Sequence, residues 1–427
     1  KEYLNKVLII SYYFPPMGMG GVQRTLKFAK YLKDYGWDPV VLTDSPKKYF
    51  AVDESLLKEA IDCGIKIERT GEDIKNVKDI IIKNPNERLR KVRSRTGQFF
   101  LIPDNKKYWR NKAFKKAVDV WEKYGGFDVI FATAPPYTDF LVGQDVKKKF
   151  KVPLVIDYRD AWVDSPVLNY YATPFHKMSN MKLEKNVLKD ANKIITTNRR
   201  VKELVISRYG NIEYNDVKII PHGFDTEDFE NAAQGELPIT NKMRITYSGS
   251  FYTRNPKYYL EAINKFFIKF PELKSEVEFC FIGAMSKENT ALIESYNLGK
   301  SINLLGYIEH IECVKYLLAS DVLFFMISRG ENDDAAMPGK IGEYIGSRKN
   351  IIACIPEGVT KKMLEKYNAI RFAEENPEDL MKIFHEYYGL YKNNQMPVAN
   401  EEVVELYDRK TLTYELAKEF NLLVDIE

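Results

Sequence analysis

The chain has little that would staple, anchor or metallate it. Its 427 residues include only four cysteines, Cys63, Cys280, Cys313 and Cys354. They stand singly, without C-x-x-C or comparable metal spacing, and a chain of this length builds its cores without disulfides. Reduced thiols in a reducing compartment are expected. No run of about 20 apolar residues occurs, so no segment is expected to span a bilayer. No signal-peptide pattern precedes the first strand-like run, Val7–Ile10. The location expected is cytoplasmic, at or near the inner face of the cell membrane. Histidine is equally sparse. His176, His222, His310 and His385 are isolated, with His222 at a domain junction. Without H-x-x-x-H or clustered carboxylates, no metal is expected. Without G-x-S-x-G, a serine hydrolase is not expected either.

What is present is an ordinary globular composition, 45% hydrophobic and 29% charged, with a net charge of only +4. The charge is uneven. Between Lys83 and Lys116 twelve Lys and Arg stand against two acids, Glu87 and Asp104, with Phe99, Phe100, Leu101, Ile102, Tyr108 and Trp109 among them. Such a mixture suits an anionic membrane surface or a lipid-linked polyanionic acceptor. It equally suits a solvated helix face over core aromatics. No nucleic-acid partner is expected, because no binding motif accompanies the patch.

Continuous apolar runs alternate with helical periodicity along the whole chain. Lys6–Ile10, Asp38–Thr43, Asp128–Ala132, Leu154–Asp157, Lys193–Thr197 and Val217–Ile220 read as buried parallel strands. A helix from about Val22 to Tyr35, ended by Gly36, joins the first two. A second series follows: Met243–Ser248, Val277–Ile282, Ile302–Leu305, Val322–Phe325 and Ile351–Ala353. Gln234–Pro238 is polar and rich in breakers, which suits a linker. The tail Glu401–Leu423 reads as one amphipathic helix. The expectation is an α/β chain of two Rossmann-like domains facing across a cleft, residues 1–225 and 226–427, with the terminal helix able to pack back on the first. Ligands of doubly wound sheets bind beyond the carboxyl ends of the strands.

Four stretches carry candidate chemistry. Gly18-Met-Gly-Gly21 precedes a helix N-terminus, where bare amides and the helix dipole attract an anion. It is not the dinucleotide fingerprint, because Gln23 stands where the third glycine belongs, although Asp44 imitates a ribose-binding acid and leaves a dehydrogenase reading open. Asp157, Arg159 and Asp160 cluster where a buried strand runs out; a structural Arg–Asp pair is the alternative. Gly249, Arg254 and Lys257 follow the strand Met243–Ser248, and the two cations suit a departing diphosphate. Finally, Arg329–Lys340 combines acids and glycines that suit sugar hydroxyls. Lys340 opens a helix and suits phosphate, and Glu343 on its first turn suits ribose hydroxyls.

The set of motifs, in this order, resembles bacterial glycosyltransferase family 4. The resemblance rests on the Gly18–Gly21 loop, Asp157-Tyr-Arg-Asp-Ala-Trp162, Ile219-Ile-Pro-His-Gly-Phe-Asp225, Tyr247-Ser-Gly-Ser-Phe251, Leu304-Leu-Gly-Tyr-Ile308, Ala319-Ser-Asp-Val322 and Met337-Pro-Gly-Lys-Ile-Gly-Glu-Tyr344. It implies the GT-B fold and retaining transfer from a nucleotide-sugar such as a UDP- or GDP-sugar, without a catalytic metal or other cofactor. The acceptor would be a glycan or a lipid-linked molecule of bacterial surface polysaccharide synthesis. By position, Gly249, Arg254 and Lys340 would meet the diphosphate, Glu343 the ribose, and Tyr307 and Ile308 the base. The backbone of Gly20 and Gly21 would close on the phosphates, and Asp160 would face the transferred sugar. Two departures stand out, one being that Arg159 and Asp160 occupy the region where many relatives have a histidine near the reacting sugar. Many relatives carry E-x7-E, and Ala335 occupies the first glutamate position here. The sugar-side contact would pass to Glu331, Asp333 or Asp334. A nucleotide-sugar epimerase and a non-catalytic sugar-nucleotide-binding protein are the alternative readings.

Overall fold

The computed structural model describes residues 4–45, 48–72, 77–82, 101–165, 171, 173–250, 256–330 and 332–424. Arg254, Glu331 and the part of the basic segment from 83 to 100 lie outside the described residues. The chain divides into two compact units, Lys1–His222 with Arg409–Glu427, and Gly223–Asp408.

The first unit is built on seven parallel strands: β1 (Asn5–Ile10), β2 (Trp37–Asp44), β4 (Lys66–Thr70), β6 (Val129–Ala134), β7 (Leu154–Tyr158), β8 (Lys193–Thr196) and β9 (Val217–Ile219). Two-residue strands β3 (Lys48–Tyr49) and β5 (Ile81–Ile82) pair separately. The sheet order is β4-β2-β1-β6-β7-β8-β9. In the central register Ile9 lies between Val41 and Phe131. These strands are apolar on both faces because helices cover both faces, and Ile9, Val41, Phe131, Val155 and Ile195 share one core with Leu26, Leu416 and Phe420.

The second unit repeats this design with six parallel strands: β10 (Met243–Ser248), β11 (Val277–Ile282), β12 (Ile302–Gly306), β13 (Val322–Met326), β14 (Asn350–Cys354) and β15 (Ile370–Phe372), in the order β12-β11-β10-β13-β14-β15. In each unit the chain starts near the middle, grows to one side, then crosses to the other. The strand order reverses between β1 and β6, and between β10 and β13. In doubly wound sheets such switch points are where ligands bind, at the carboxyl ends of the strands.

Several boundaries differ from the sequence expectation. The first helix is α-helical over Gly20–Tyr31, and Leu32–Tyr35 tightens to a 3₁₀ turn before Gly36 at φ 84°. The tail is two helices, Glu401–Glu405 and Arg409–Val424, interrupted where Phe224 N–H donates to Tyr407 O and Thr226 Oγ1 to Asp408 Oδ2. An uninterrupted apolar periodicity conceals that break. The second helix belongs with the first unit. Residues 234–238 do not join the units, because the helix Thr226–Gln234 packs Phe229 and Ala232 against Val314 and Leu317 of the second unit. The division falls after His222.

Candidate functional site

In the first unit, the chain leaves β1 through Ser11–Met19 and enters a helix at Gly20. The loop is fixed at both ends: Tyr12 N–H donates to Asp139 Oδ2 (2.8 Å), and Gly18 N–H to Ala51 O (2.9 Å). Met19, at φ 74°, turns the chain so that the exposed Gly20 and Gly21 form the first residues of the 12-residue helix. Among the described residues no Met19 side-chain bond caps this helix, and helix-opening N–H groups lack partners on their own helix. Gly21 has a second role: a Cβ there would lie 3.2 Å from an Arg159 guanidinium nitrogen.

The charged stretch after β7 divides into different roles. Asp157 is fully buried and receives two guanidinium bonds from Arg24, Nε to Oδ2 at 3.0 Å and Nη2 to Oδ1 at 2.8 Å. Thr133 adds a third donor at 2.8 Å, and Arg24 also donates to Ile220 O and Pro221 O. Asp157 is therefore the anchor of a structural ion pair, and its partner is Arg24 rather than Arg159. Arg159 donates to the carbonyls of Gly21 and Pro135, tying the glycine helix to the loop after β6. Asp160 is half-buried, and burial pushes its carboxyl above the ordinary aspartate range, with Arg159 opposing. His222 is buried, and burial and the cations Arg24, Arg409 and Arg159 hold its imidazole well below the usual value, hence neutral.

The described part of the basic segment is largely occupied within the unit. Arg110 makes a two-point pair with Asp145 at 2.7 Å for each bond, and Lys116 pairs with Glu68 at 3.1 Å. Trp109 is buried and donates to Thr70 Oγ1, and the Lys106 ammonium lies 4.4 Å from the Tyr12 ring centre. Only Tyr108 among the described aromatics of this segment is strongly exposed.

In the second unit, the ends of β10, β11 and β12 converge on glycines. Gly249 follows β10 at φ 150° and Gly283 follows β11 at φ 121°. Gly249 N–H donates to Ile282 O and Gly283 N–H to Gly306 O, each at 2.7 Å. A Cβ at Gly283 would collide with the backbone of Gly249, so only glycine permits this approach. The Lys340 ammonium donates to Ser248 O at 2.7 Å and lies 4.0 Å from the Tyr247 ring centre. It would be only 2.5 Å from a Cβ on Gly249.

Lys340 opens the helix Lys340–Gly346, which also carries Glu343. This helix packs so tightly that a Cβ on Gly342 would collide with Gly223, and one on Gly346 with the Phe224 ring. Its Tyr344 hydroxyl accepts from Ser248 N–H at 2.8 Å and donates to Phe324 O at 3.1 Å, locking it against β10 and β13. Glu343 is buried and bonded to His310 Nε2 at 2.8 Å. His310 looked isolated in sequence and is in fact part of this cluster. One turn along its helix, Cys313 Sγ lies 3.2 Å from Ser248 Oγ, and burial pushes its thiol up to about 12, away from thiolate chemistry.

Tyr307 and Ile308 follow Gly306, with Tyr307 37% exposed. Asp333 and Asp334 form a 3₁₀ turn, and Asp333 Oδ2 accepts from Gly330 N–H at 3.2 Å. Ala335 is buried in the same turn. Lys257 points to solvent and pairs with Glu261 one turn away at 3.6 Å. Sequence reading missed Arg24, Gly283 and His310. A glycine ending the apolar strand Val277–Ile282 was a signal for Gly283; nothing local marked the other two.

Residues 19–228 match the family model for Glycosyltransferase Family 4. The chain is a glycosyltransferase. Solved structures extend the likeness of this enzyme over the second unit. A glycosyltransferase from Rickettsia africae is 15% identical at a TM-score of 0.64, covering 99% of this chain and 100% of that one. Sucrose-phosphate synthase from Thermosynechococcus elongatus gives 16% and 0.63, with coverage of 99% and 100%. Anabaena HepE in complex with UDP gives 15% and 0.61, with 98% and 100%. At these identities the structures establish the GT-B fold of the glycosyltransferase. No curated protein matches it significantly. Among the described residues no helix is long and apolar enough to cross a membrane.

Proposed function

We propose that the enzyme transfers a sugar, with retained anomeric configuration, from a nucleoside diphosphate donor to a glycan or lipid-linked acceptor of surface polysaccharide synthesis. The observation that carries this reading is the arrangement at the ends of β10–β12. A close-packed glycine pair, the fixed Lys340 ammonium and the buried Glu343 carboxylate stand together there. Glycine backbone and a lysine suit a diphosphate, and a buried carboxylate suits vicinal ribose hydroxyls. Tyr307 and Ile308 are assigned to the base, and Asp333 and Asp334 to sugar hydroxyls. The UDP bound by Anabaena HepE makes uridine nucleotides the first donors to try.

In the transfer step the bond from the anomeric carbon to the diphosphate breaks as charge develops on the leaving oxygen. Lys340 and Arg254 stabilise that charge, and the diphosphate accepts the acceptor's hydroxyl proton. No metal is assigned a role. Gly20 and Gly21 are assigned to phosphate, and Asp160 to the transferred sugar. The acceptor belongs to the first unit, where the basic segment 83–116 serves an anionic membrane surface or a lipid-linked anion.

A thermal-shift screen of UDP, GDP, ADP and their sugars identifies the donor, because a ligand of the native state raises apparent stability. Lys340→Ala, Glu343→Ala and Arg254→Ala are each expected to lower turnover about 100-fold in protein that still folds, as checked by circular dichroism. Near-normal transfer in all three sinks the donor-site assignment. Release of free nucleotide without a glycosylated product turns the reading toward an epimerase.

A further inference from the structure

We infer that His310 is a positioning residue that fixes Glu343 as a reader of the donor ribose, and so sets the preference for ribonucleotide over 2′-deoxyribonucleotide donors. The inference rests on the donor-site reading above. Its observations are separate from the motifs that suggested that reading, since His310 stood outside all of them.

His310 is the first residue of the helix His310–Leu318, and its side chain is buried. Its Nε2 lies 2.8 Å from Glu343 Oε1, and its Nδ1 lies 3.9 Å from Asp228 Oδ2 on the helix Thr226–Gln234. In the Nε2–H tautomer the ring donates to the Glu343 carboxylate. The imidazole is thus set between acids on two different helices. The same helix is pinned one turn further on, where Cys313 meets Ser248 beside Gly249.

This arrangement does specific work for recognition. Glutamate has three side-chain torsions, and a carboxylate free to rotate accepts from many donors without discriminating among them. Held by His310, the Glu343 carboxylate keeps one orientation. A carboxylate offers about four lone-pair positions, so the His310 bond still permits acceptance from ribose hydroxyls. A nucleotide lacking the 2′-hydroxyl then leaves a buried acceptor short of a partner, which is how polar sites reject analogues. If the carboxylate could swing away, that penalty would shrink.

The test is equilibrium binding of UDP and 2′-deoxy-UDP to the full chain, in wild type and in His310→Asn, His310→Gln and Glu343→Gln. Asparagine places its amide near the Nδ1 position and falls short of Glu343, whereas glutamine extends its amide to the Nε2 position. Wild type is expected to favour UDP about 50-fold, the worth of one charge-assisted hydrogen bond. His310→Asn is expected to weaken UDP about tenfold and to leave 2′-deoxy-UDP within about twofold, so that the preference collapses. His310→Gln is expected to retain most of it. A structural role would weaken both nucleotides alike. Equal weakening, or an unchanged preference in His310→Asn, overturns the inference while the donor site stands. A wild-type preference surviving in Glu343→Gln, or binding of none of UDP, GDP and ADP by wild type, overturns the ribose reading itself.

Discussion

The two units share a strand order and use buried charge at opposite ends of it. In the second unit the buried ion pair Arg244–Glu278 joins the second residues of β10 and β11, at the amino end of the sheet. The carboxyl end is left to glycines, Lys340, Glu343 and His310. In the first unit the buried pair Arg24–Asp157 stands at the carboxyl end itself, and Arg159 is spent on two backbone carbonyls beside it. A charge at the end of a parallel strand is therefore not by position a ligand group. What separates the cases is the setting of the charge: Asp157 is enclosed by Arg24 and Thr133, whereas Lys340 stands beside the glycines that end β10 and β11.

The sharpest way to break this contrast is Arg24→Ala. It strands the fully buried Asp157 carboxylate, and a loss of about 3–5 kcal/mol is expected in denaturant unfolding. A loss below about 1 kcal/mol would mean that Asp157 is not an architectural charge and would return it to the candidate ligands.

Smaller in size is the pH response of Glu184, another internal acid of the first unit. Its carboxyl is buried, accepts from Tyr158 and Tyr209 hydroxyls at 3.1 and 2.7 Å, and is raised to about 7, chiefly by burial. A folded value above the unfolded one gives stability that is present below about pH 4.5 and lost as pH rises through about 7. Relative to Glu184→Gln, wild type is expected to lose on the order of 2–3 kcal/mol between pH 4.5 and 8. Parallel pH profiles for the two proteins would remove Glu184 from the structural acids.

Lys257→Ala gives the smallest expected effect. The side chain is exposed and pairs with Glu261 along its own helix, so a change under about 0.5 kcal/mol and near-normal turnover are expected. A large loss of turnover would extend the donor site of the second unit outward to this lysine.

The central strands were legible because burial on both faces demands continuous apolar runs such as Val277–Ile282. Of the four edge strands of the two large sheets, β9 and β12 were legible, and β4 and β15 were not. Lys66-Ile-Glu-Arg-Thr70 and Ile370-Arg-Phe372 pair on one side only and mix apolar with charged residues, so no run marks them. Of the proposed site, Gly249, Lys340 and Glu343 were legible because each sits at a strand-to-helix junction with a recognisable local chemistry. The first unit misled, since Asp157 and Arg159 show the same local pattern and are consumed by partners elsewhere in the chain.

Sequence alone determined the repeated α/β design, the two halves and the glycine-bearing junctions, because periodicity and turn chemistry are local properties. Tertiary structure decided which charges are paired. Arg24 meets Asp157 across 133 positions and His310 meets Glu343 across 33. Folding brings such groups together through strand order and helix packing, and no spacing in the sequence records those contacts. It also decided that the last helix belongs with the first unit, since an amphipathic stripe specifies an apolar surface to cover without specifying which one.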